Sequence, residues 1–377
     1  MQGTASLEPA SSTAAPLAAY GLVFAVALVV ALVLTPLTAR IGARLGLVQE
    51  PGGRRKHARA IPRIGGVPIF FAFIAAVAVA QWLVVDPLDP ARTLPDALRV
   101  LRFDPKEIIR LTGLLIGSTL IFVVGLYDDW RELGPIPQFV AQVLAAAIAI
   151  IFLIIIEYVN NPLTGQQTPE FPYIVTVTVT LVWLTLMMNT VNWLDGLDGL
   201  AAGVVALACV VLFVNSVFRL QPPQHSVALL PVALLGATLG FLPFNFFPAK
   251  IFLGSSGAFL LGYVLGVLSI IGGAKMAAIL LVLGLPLLDV AWQIFDRLRR
   301  GQNPAIGDRG HLHFRLLDMG LTQRQIVVAY YLFSAIFGGL ALLITPRLYK
   351  LIALLVMAAI TAVGFLLVSR RGPAPEE

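Results

Sequence analysis

Charge is scarce in this chain. Of its 377 residues only 12% are Asp, Glu, Lys or Arg, whereas 58% are apolar. A soluble domain would carry about 25% charged residues, so the composition argues against a water-exposed fold. Cysteine is nearly missing too. The single thiol, Cys209, falls inside an apolar stretch, so disulfides play no part and the redox compartment cannot be read. The segment Met1–Pro16 has no basic n-region of a cleavable signal peptide and reads as a loose tail. With no internal repeat, and no low-complexity tract beyond the terminal tails, residues 1–377 are treated as one integral membrane domain.

What the chain has in quantity is long apolar runs. A spanning helix needs about 20 apolar residues, and eleven such stretches recur: about 18–39, 64–85, 107–127, 136–156, 172–190, 198–217, 226–244, 251–271, 275–295, 326–345 and 349–369. Pro172 and Pro243 interrupt the fifth and seventh. The expected fold is an all-α polytopic membrane protein of about eleven transmembrane helices. Its natural partner is a lipid bilayer.

Basic residues set the orientation through the positive-inside rule. With eleven spans, the odd-numbered loops and the C-terminus share one side and hold 17 of the 26 Lys and Arg residues. The other nine lie mostly in the 86–110 connection, diluted there by Asp86, Asp89, Asp96, Asp104 and Glu107. The expectation is an N-terminus outside and a C-terminus in the cytoplasm. The net charge of +6 needs no nucleic acid, because the basic side faces anionic headgroups and cytosolic nucleotides.

The polar clusters all fall in those cytoplasmic loops. Asp128 and Asp129 end the third apolar run. Ionised carboxylates are costly beside hydrocarbon, and the negative end of a helix dipole would add to the cost. Arg131 alone cannot balance both. A hard divalent cation could, since it prefers carboxylate oxygens, water and substrate phosphates. The first loop, Arg54–Pro68, is basic. That alone would serve topology, but Pro62 and Gly65-Gly66 suggest a shaped turn with backbone N–H groups open to a phosphate. In the fifth loop Asn189, Asn192, Asp195 and Asp198 recur every third residue. On a helix they would share one slowly drifting face, beside Gly196, Gly199 and Gly203. Glycine there fits helix packing; the Asn and Asp fit hydrogen bonding to a nucleoside or a hydrated cation. The ninth loop, 296–325, is long and carries His311 and His313. As a zinc site the pair lacks a third N or S ligand. With Arg309 and Arg315 it looks more like an anion clamp for a diphosphate. A transporter would place charges at mid-span, whereas here they gather at one face.

Taken in order from about Leu47 to Gln325, these clusters resemble the polyprenyl-phosphate N-acetylhexosamine-1-phosphate transferases, a glycosyltransferase 4 family. The family's P-R-x-G-G is Pro62-Arg63-Ile64-Gly65-Gly66 here. Its D-D pair is Asp128-Asp129, and its N-x-x-N-x-x-D-G-x-D-G runs from Asn189 to Gly199. The late loop, Asp308-Arg309-Gly310-His311-Leu312-His313-Phe314-Arg315, is similar to the D-[KR]-x-H-x-H-H-R of the WecA/TagO-type branch. The MraY-type branch has three consecutive His there. The resemblance implies transfer of a sugar-1-phosphate, N-acetylglucosamine-1-phosphate in this branch, from a UDP-sugar to undecaprenyl phosphate. UMP is released, in the first membrane step of cell-envelope glycan synthesis at the bacterial inner membrane. It implies Mg²⁺, with Mn²⁺ as a substitute. It also assigns roles: Asp128, Asp129, His311, His313 and Arg315 in catalysis; Lys56, Arg63, Gly65, Gly66, Asn189, Asp195, Asp198 and Arg309 in substrate binding; Asp129, Asn192 and Ser255 at the metal. A homodimer is one assembly open to such a protein.

Two positions depart from the family. Its F-[ML]-G-D-x-G motif, with a metal-ligand Asp, is Phe252-Leu253-Gly254-Ser255-Ser256-Gly257 here, and Phe314 replaces the third His of the late loop. A hydroxyl is a neutral, weaker ligand. The alternative is therefore a catalytically weak paralogue that binds polyprenyl phosphate or nucleotide.

Overall fold

Backbone polar groups in hydrocarbon must be satisfied within the segment, and a helix does this unaided. Accordingly each apolar run falls on helix in a computed structural model, which describes residues 16–50, 60–86, 94–271, 275–299, 301 and 310–369. The helices are α1 (Leu17–Arg44), α2 (Gly66–Leu83), α3 (Lys106–Arg131), α4 (Pro135–Ile151), α5 (Tyr173–Leu194), α6 (Leu200–Val214) and α7 (His225–Asn245). They continue as α8 (Gly254–Ile270), α9 (Met276–Val282), α10 (Gly284–Arg299), α11 (Leu312–Asp318), α12 (Gln323–Leu343) and α13 (Arg347–Ser369). Two pairs of two-residue strands are the only ladders among the described residues. Val48–Gln49 runs antiparallel to Ile61–Pro62, and Val84–Val85 runs parallel to Val100–Leu101.

Eight described helices are long and apolar enough to cross a membrane, or nine if the bent pair α9–α10 forms one span. The expected count of eleven is not confirmed. The remaining two apolar stretches form α4 and α8, of 17 residues each. At 1.5 Å per residue such helices reach about 25 Å, short of a hydrocarbon core of about 30 Å. The two prolines behave differently from each other. Pro172 stands at the N-cap of α5, where its missing N–H is harmless, whereas Pro243 lies inside the last turn of α7 without ending it.

Between apolar helices in lipid, close approach of backbones replaces the hydrophobic drive. On α7, Gly236 and Gly240 face Ala27 and Ala31 of α1. A methyl group at either glycine would come within 2.6 Å of a main-chain oxygen of α1. Helices α6, α7 and α8 form the buried centre, and Leu229, Phe241, Phe259, Leu260, Tyr263 and Val264 are almost wholly enclosed. The lipid-facing rim is α1, α4 and α13, which carry exposed Val33, Phe139, Leu355 and Val363.

Two expected loops contain helix. The fifth-loop motif begins inside α5: Asn189 and Asn192 occupy its last turns, and Asp195 is its C-cap. Asp198 follows in the turn before Gly199, whose φ of +80° suits a residue without Cβ. The four polar residues therefore do not share one continuous helical face, because the chain turns at Gly196 and Gly199. The ninth loop likewise holds the last turn of α10 and all of α11.

Candidate functional site

Three backbone segments meet at the ends of α2, α3 and α8. Gly65 N–H donates to Phe252 O at 3.0 Å, and Phe252 N–H donates to Pro62 O at 2.8 Å. A methyl at Gly66 would come within 2.5 Å of Ser256 Oγ, and one at Gly125 within 2.6 Å of Ser256 Cα. The glycines thus let the α2 start and the α3 end lie against the first turn of α8. Of the N–H groups expected to be open to a phosphate, that of Gly65 is engaged inside the protein.

The same approach places Asp128 and Asp129, 3% and 4% exposed, beside the start of α8. Asp129 Oδ1 accepts from Ser255 N–H at 2.7 Å. Its Oδ2 accepts from Ser256 N–H at 3.1 Å and Ser256 Oγ–H at 2.5 Å. A buried carboxylate is tolerable here because it faces the positive dipole end and the unpaired N–H groups of α8. Gly254 makes the approach feasible: its φ is +70°, and a Cβ there would meet the Asp129 carboxylate at 2.7 Å.

The cation beside this pair is Arg63. Its Nη1 donates to Glu132 Oε1 at 2.6 Å, its Nη2 to the Asp128 carbonyl at 3.3 Å, and its Nε lies 3.9 Å from Asp129 Oδ1. Arg131, the nearest basic residue in sequence, instead stacks over the Trp130 ring at 4.1 Å. Arg63, Asp129, Arg131 and Glu132 border a cavity of about 330 Å³.

Two glutamines that the sequence reading passed over connect the motifs. Gln138 and Gln142 sit one turn apart on α4 and so face the same way. Gln138 Nε2 donates to Asp128 Oδ1 at 2.9 Å. The Gln142 and Asn189 amides exchange hydrogen bonds, Asn189 Nδ2 donating to Gln142 Oε1 at 2.6 Å and Gln142 Nε2 to Asn189 Oδ1 at 3.3 Å. One face of α4 therefore ties the Asp pair to the end of α5. The turn after α5 is pinned from its other side. Ala249 N–H donates to Asp198 Oδ2 at 3.0 Å, Gly199 N–H to Asn245 Oδ1 at 3.1 Å, and Tyr331 Oη–H to Gly199 O at 2.5 Å. Asp198 thus holds a backbone loop together, and Asn192 and Asp195 lie half-buried nearby.

The histidine segment packs onto this turn. A Cβ at Gly196 would collide with His313 Nε2 and approach the Phe314 ring at 3.0 Å. The His311 and His313 rings are parallel, 5.7 Å apart, and Trp193 lies 6.3 Å from His311. Both histidines are buried. His311 Nδ1 is 3.0 Å from Asp289 Oδ2, and Asp289 Oδ1 accepts from Leu312 N–H at 3.0 Å. A carboxylate on Nδ1 fixes the proton there and leaves Nε2 as an acceptor. Asp289, on α10, is a second residue that sequence reasoning missed. Arg315 Nε donates to Gly310 O at 2.7 Å, and Gln293 Nε2 donates to the same carbonyl. Lys56 and Arg309 lie outside the described residues.

Three segments far apart in sequence therefore converge: the α3 end, the turn after α5 and the start of α11. Comparison with known proteins points the same way. Residues 111–273 match the model of the family described as Glycosyl transferase family 4, a span holding Asp128, Asp129, Asn189–Gly199 and Ser255. The chain is 30% identical to the decaprenyl-phosphate N-acetylglucosaminephosphotransferase of Mycolicibacterium smegmatis (strain ATCC 700084 / mc(2)155), over 95% of this chain and 91% of the relative. It is 26% identical to the undecaprenyl-phosphate alpha-N-acetylglucosaminyl 1-phosphate transferase of Yersinia pestis, over 87% and 84%. It is also 30% identical to the phospho-N-acetylmuramoyl-pentapeptide-transferase of Mycobacterium avium (strain 104), over 84% and 94%. Apolar composition alone would not give likeness along almost the whole of both chains. This multi-pass membrane protein belongs to the glycosyl transferase family 4.

Proposed function

We propose that the protein transfers N-acetylglucosamine-1-phosphate from UDP-N-acetylglucosamine to a polyprenyl phosphate, releasing UMP, at the cytoplasmic face of a bacterial inner membrane. The observation that carries this reading is the joining of the motifs: Gln138 on Asp128, Gln142 on Asn189, and His313 against Gly196. Identity alone does not choose between the two kinds of relative, since both reach 30%. The choice rests on the late loop, where Leu312 and Phe314 flank His313 and no run of three histidines occurs.

The reaction is a displacement at phosphorus. An oxygen of the acceptor phosphate bonds to the phosphorus that bears the sugar, the bridging P–O bond breaks, and UMP leaves with the electron pair. A phosphate monoester is already largely ionised at neutral pH, so no strong base is needed. Asp128 orients the acceptor, and Gln138 fixes the rotamer of Asp128. Arg63, with Arg315, stabilises charge on the diphosphate as it separates, and His311, its proton on Nδ1, offers Nε2 as an acceptor to a hydroxyl of the donor.

A hard cation would be held by Asp128, with Asn192 and Ser255 as further ligands. Asp128 Oδ2 is hydrogen-bonded to no described residue, and the Asn192 amide and Ser255 hydroxyl add neutral oxygens. Mg²⁺ accepts such a set when water and substrate phosphates complete it, and it would offset charge on the leaving UMP. Asp129, expected at the metal, has three hydrogen bonds to the α8 start and little capacity left for an ion. It is better suited to holding Ser255 in place.

The test is UMP release by the purified full-length protein from UDP-N-acetylglucosamine, with and without undecaprenyl phosphate. Acceptor-dependent UMP release supports the reading. A donor that is bound but never cleaved, at any Mg²⁺ concentration, overturns it.

A further inference from the structure

On the orientation read from basic residues, nine cations lie on the outer side. Five of them belong to the 86–110 connection, where acidic residues accompany them. Of the other four, Arg219, Arg347 and Lys350 line one cavity of about 370 Å³, and among the described residues no acidic side chain lines it with them. Arg219 and Arg347 are close enough to Lys350 to repel its charge. Three cations gathered without a counter-ion cost free energy, and the cost is recovered when an anion binds among them.

The cavity lies at the end of the molecule away from Asp128. Helix α12 starts at the Asp face, where Arg324 Nη2 donates to Phe247 O at 3.3 Å, and ends at Leu343, two residues before Thr345. Twenty-one residues separate the two faces by about 30 Å. Arg219 Nη2 donates to Thr345 Oγ1 at 2.8 Å, and Arg347 Nη1 donates to Gly165 O. Their guanidinium groups are thus held in position by neutral partners that leave the charge uncompensated. The rest of the lining is mainly apolar, with Leu220, Ile344, Leu351 and Leu354, beside the Asn160 and Asn215 amides. A cationic rim over an aliphatic wall, at the ends of spanning helices, matches a lipid headgroup above its chains. We infer that Arg219, Arg347 and Lys350 form a binding site for the phosphate of an anionic lipid in the outer leaflet.

The same phosphate chemistry could come from a lipid or from a soluble ester, and the experiment separates them. Full-length protein is placed in nanodiscs of phosphatidylcholine, with or without phosphatidylglycerol. Thermal midpoint and co-purifying lipid, the latter by native mass spectrometry, are then measured. Phosphatidylglycerol is expected to raise the midpoint by several degrees and to be retained through delipidation. The triple variant R219Q/R347Q/K350Q should lose both effects, yet melt with the parent in phosphatidylcholine alone. Should the triple variant not fold, Lys350→Gln decides the matter, because it leaves the Arg219–Thr345 and Arg347–Gly165 bonds intact. It should weaken phosphatidylglycerol retention roughly fivefold. Equal retention by Lys350→Gln and the parent overturns the site. Equal stabilisation by inorganic phosphate or glycerol 3-phosphate in phosphatidylcholine discs overturns the lipid assignment.

Discussion

Asp129 and Ser256 are joined twice, through Ser256 N–H at 3.1 Å and Ser256 Oγ–H at 2.5 Å, both donating to Asp129 Oδ2. With Ser255 N–H on Oδ1, the carboxylate at the end of α3 acts as the N-cap of α8. Adjacent acidic residues thus differ: Asp129 engages both oxygens with the start of α8, whereas Asp128 Oδ2 is hydrogen-bonded to no described residue.

That division predicts different mutant behaviour. Asp129→Ala leaves buried donors of α8 unsatisfied and should lower stability by about 1–3 kcal/mol, together with activity. Asp128→Asn can keep its contact with Gln138, so its thermal midpoint should stay near that of the parent. Its transfer rate should nevertheless fall by about 10²-fold, the scale of a lost orienting or proton-transfer group. Thermal scans run beside UMP release decide this, and near-normal turnover in Asp128→Asn would remove it from the mechanism.

Asp289 Oδ2 lies 3.0 Å from His311 Nδ1, so in the proposed reaction Asp289 is a positioning residue for that ring. Asp289→Asn can donate to Nδ1 and so favour the tautomer with its proton on Nε2, which removes the Nε2 acceptor. Activity should drop roughly 10- to 100-fold, as for other groups that orient a functional imidazole. The double variant with His311→Gln should be no worse than His311→Gln alone, since both act on one ring. Additive losses in that cycle would mean that Asp289 acts elsewhere, for example only as the cap on Leu312 N–H.

Ser255 lies beside the Asp pair, so a carboxylate there adds like charge, which a cation shared with Asp128 would offset. Ser255→Asp should therefore lower the thermal midpoint without Mg²⁺ and raise it when Mg²⁺ is added. It should also reach half-maximal UMP release at lower Mg²⁺ than the parent, because each added carboxylate oxygen strengthens a hard-cation site. Ser255→Ala should change little if the hydroxyl is a spectator. A Ser255→Asp protein indifferent to Mg²⁺ would argue that no ion binds at this position.

Orientation is checked by reporters. One fused after Arg371 should report the cytoplasm, and a tag inserted within 157–171 should be labelled from outside. External labelling of the C-terminal reporter would reverse both the proposed cytoplasmic site and the proposed outer-leaflet site.

Much of this was legible in the sequence because hydrocarbon enforces it. A run of about 20 apolar residues has few alternatives to helix, and charges that survive at its edge stand out. Asp128, Asp129 and the Asn189–Gly199 motif were visible for that reason. Gln138, Gln142 and Asp289 were not, since each has apolar residues on both sides in sequence and ordinary composition hides it. The available signal was spacing: two glutamines at i and i+4 share a face. The exact ends of helices were obscured by local turn chemistry. Apolarity fades after Thr190, but α5 continues to Leu194, until Gly196 and Gly199 turn the chain. Arg63 as the partner of the Asp pair was beyond reach, because 65 residues separate it from Asp128 and only the fold brings them together.

The 77° break between α9 and α10 has a mechanical meaning. A span that turns so sharply cannot tilt or stretch as one rod. Its second limb carries Asp289, which holds His311, and also Phe295 and Leu298, which are 59% and 60% exposed on the outside of the bundle. One end of this limb is apolar and exposed and the other is joined to an imidazole, so a shift of α10 against the bundle reaches His311 through one carboxylate.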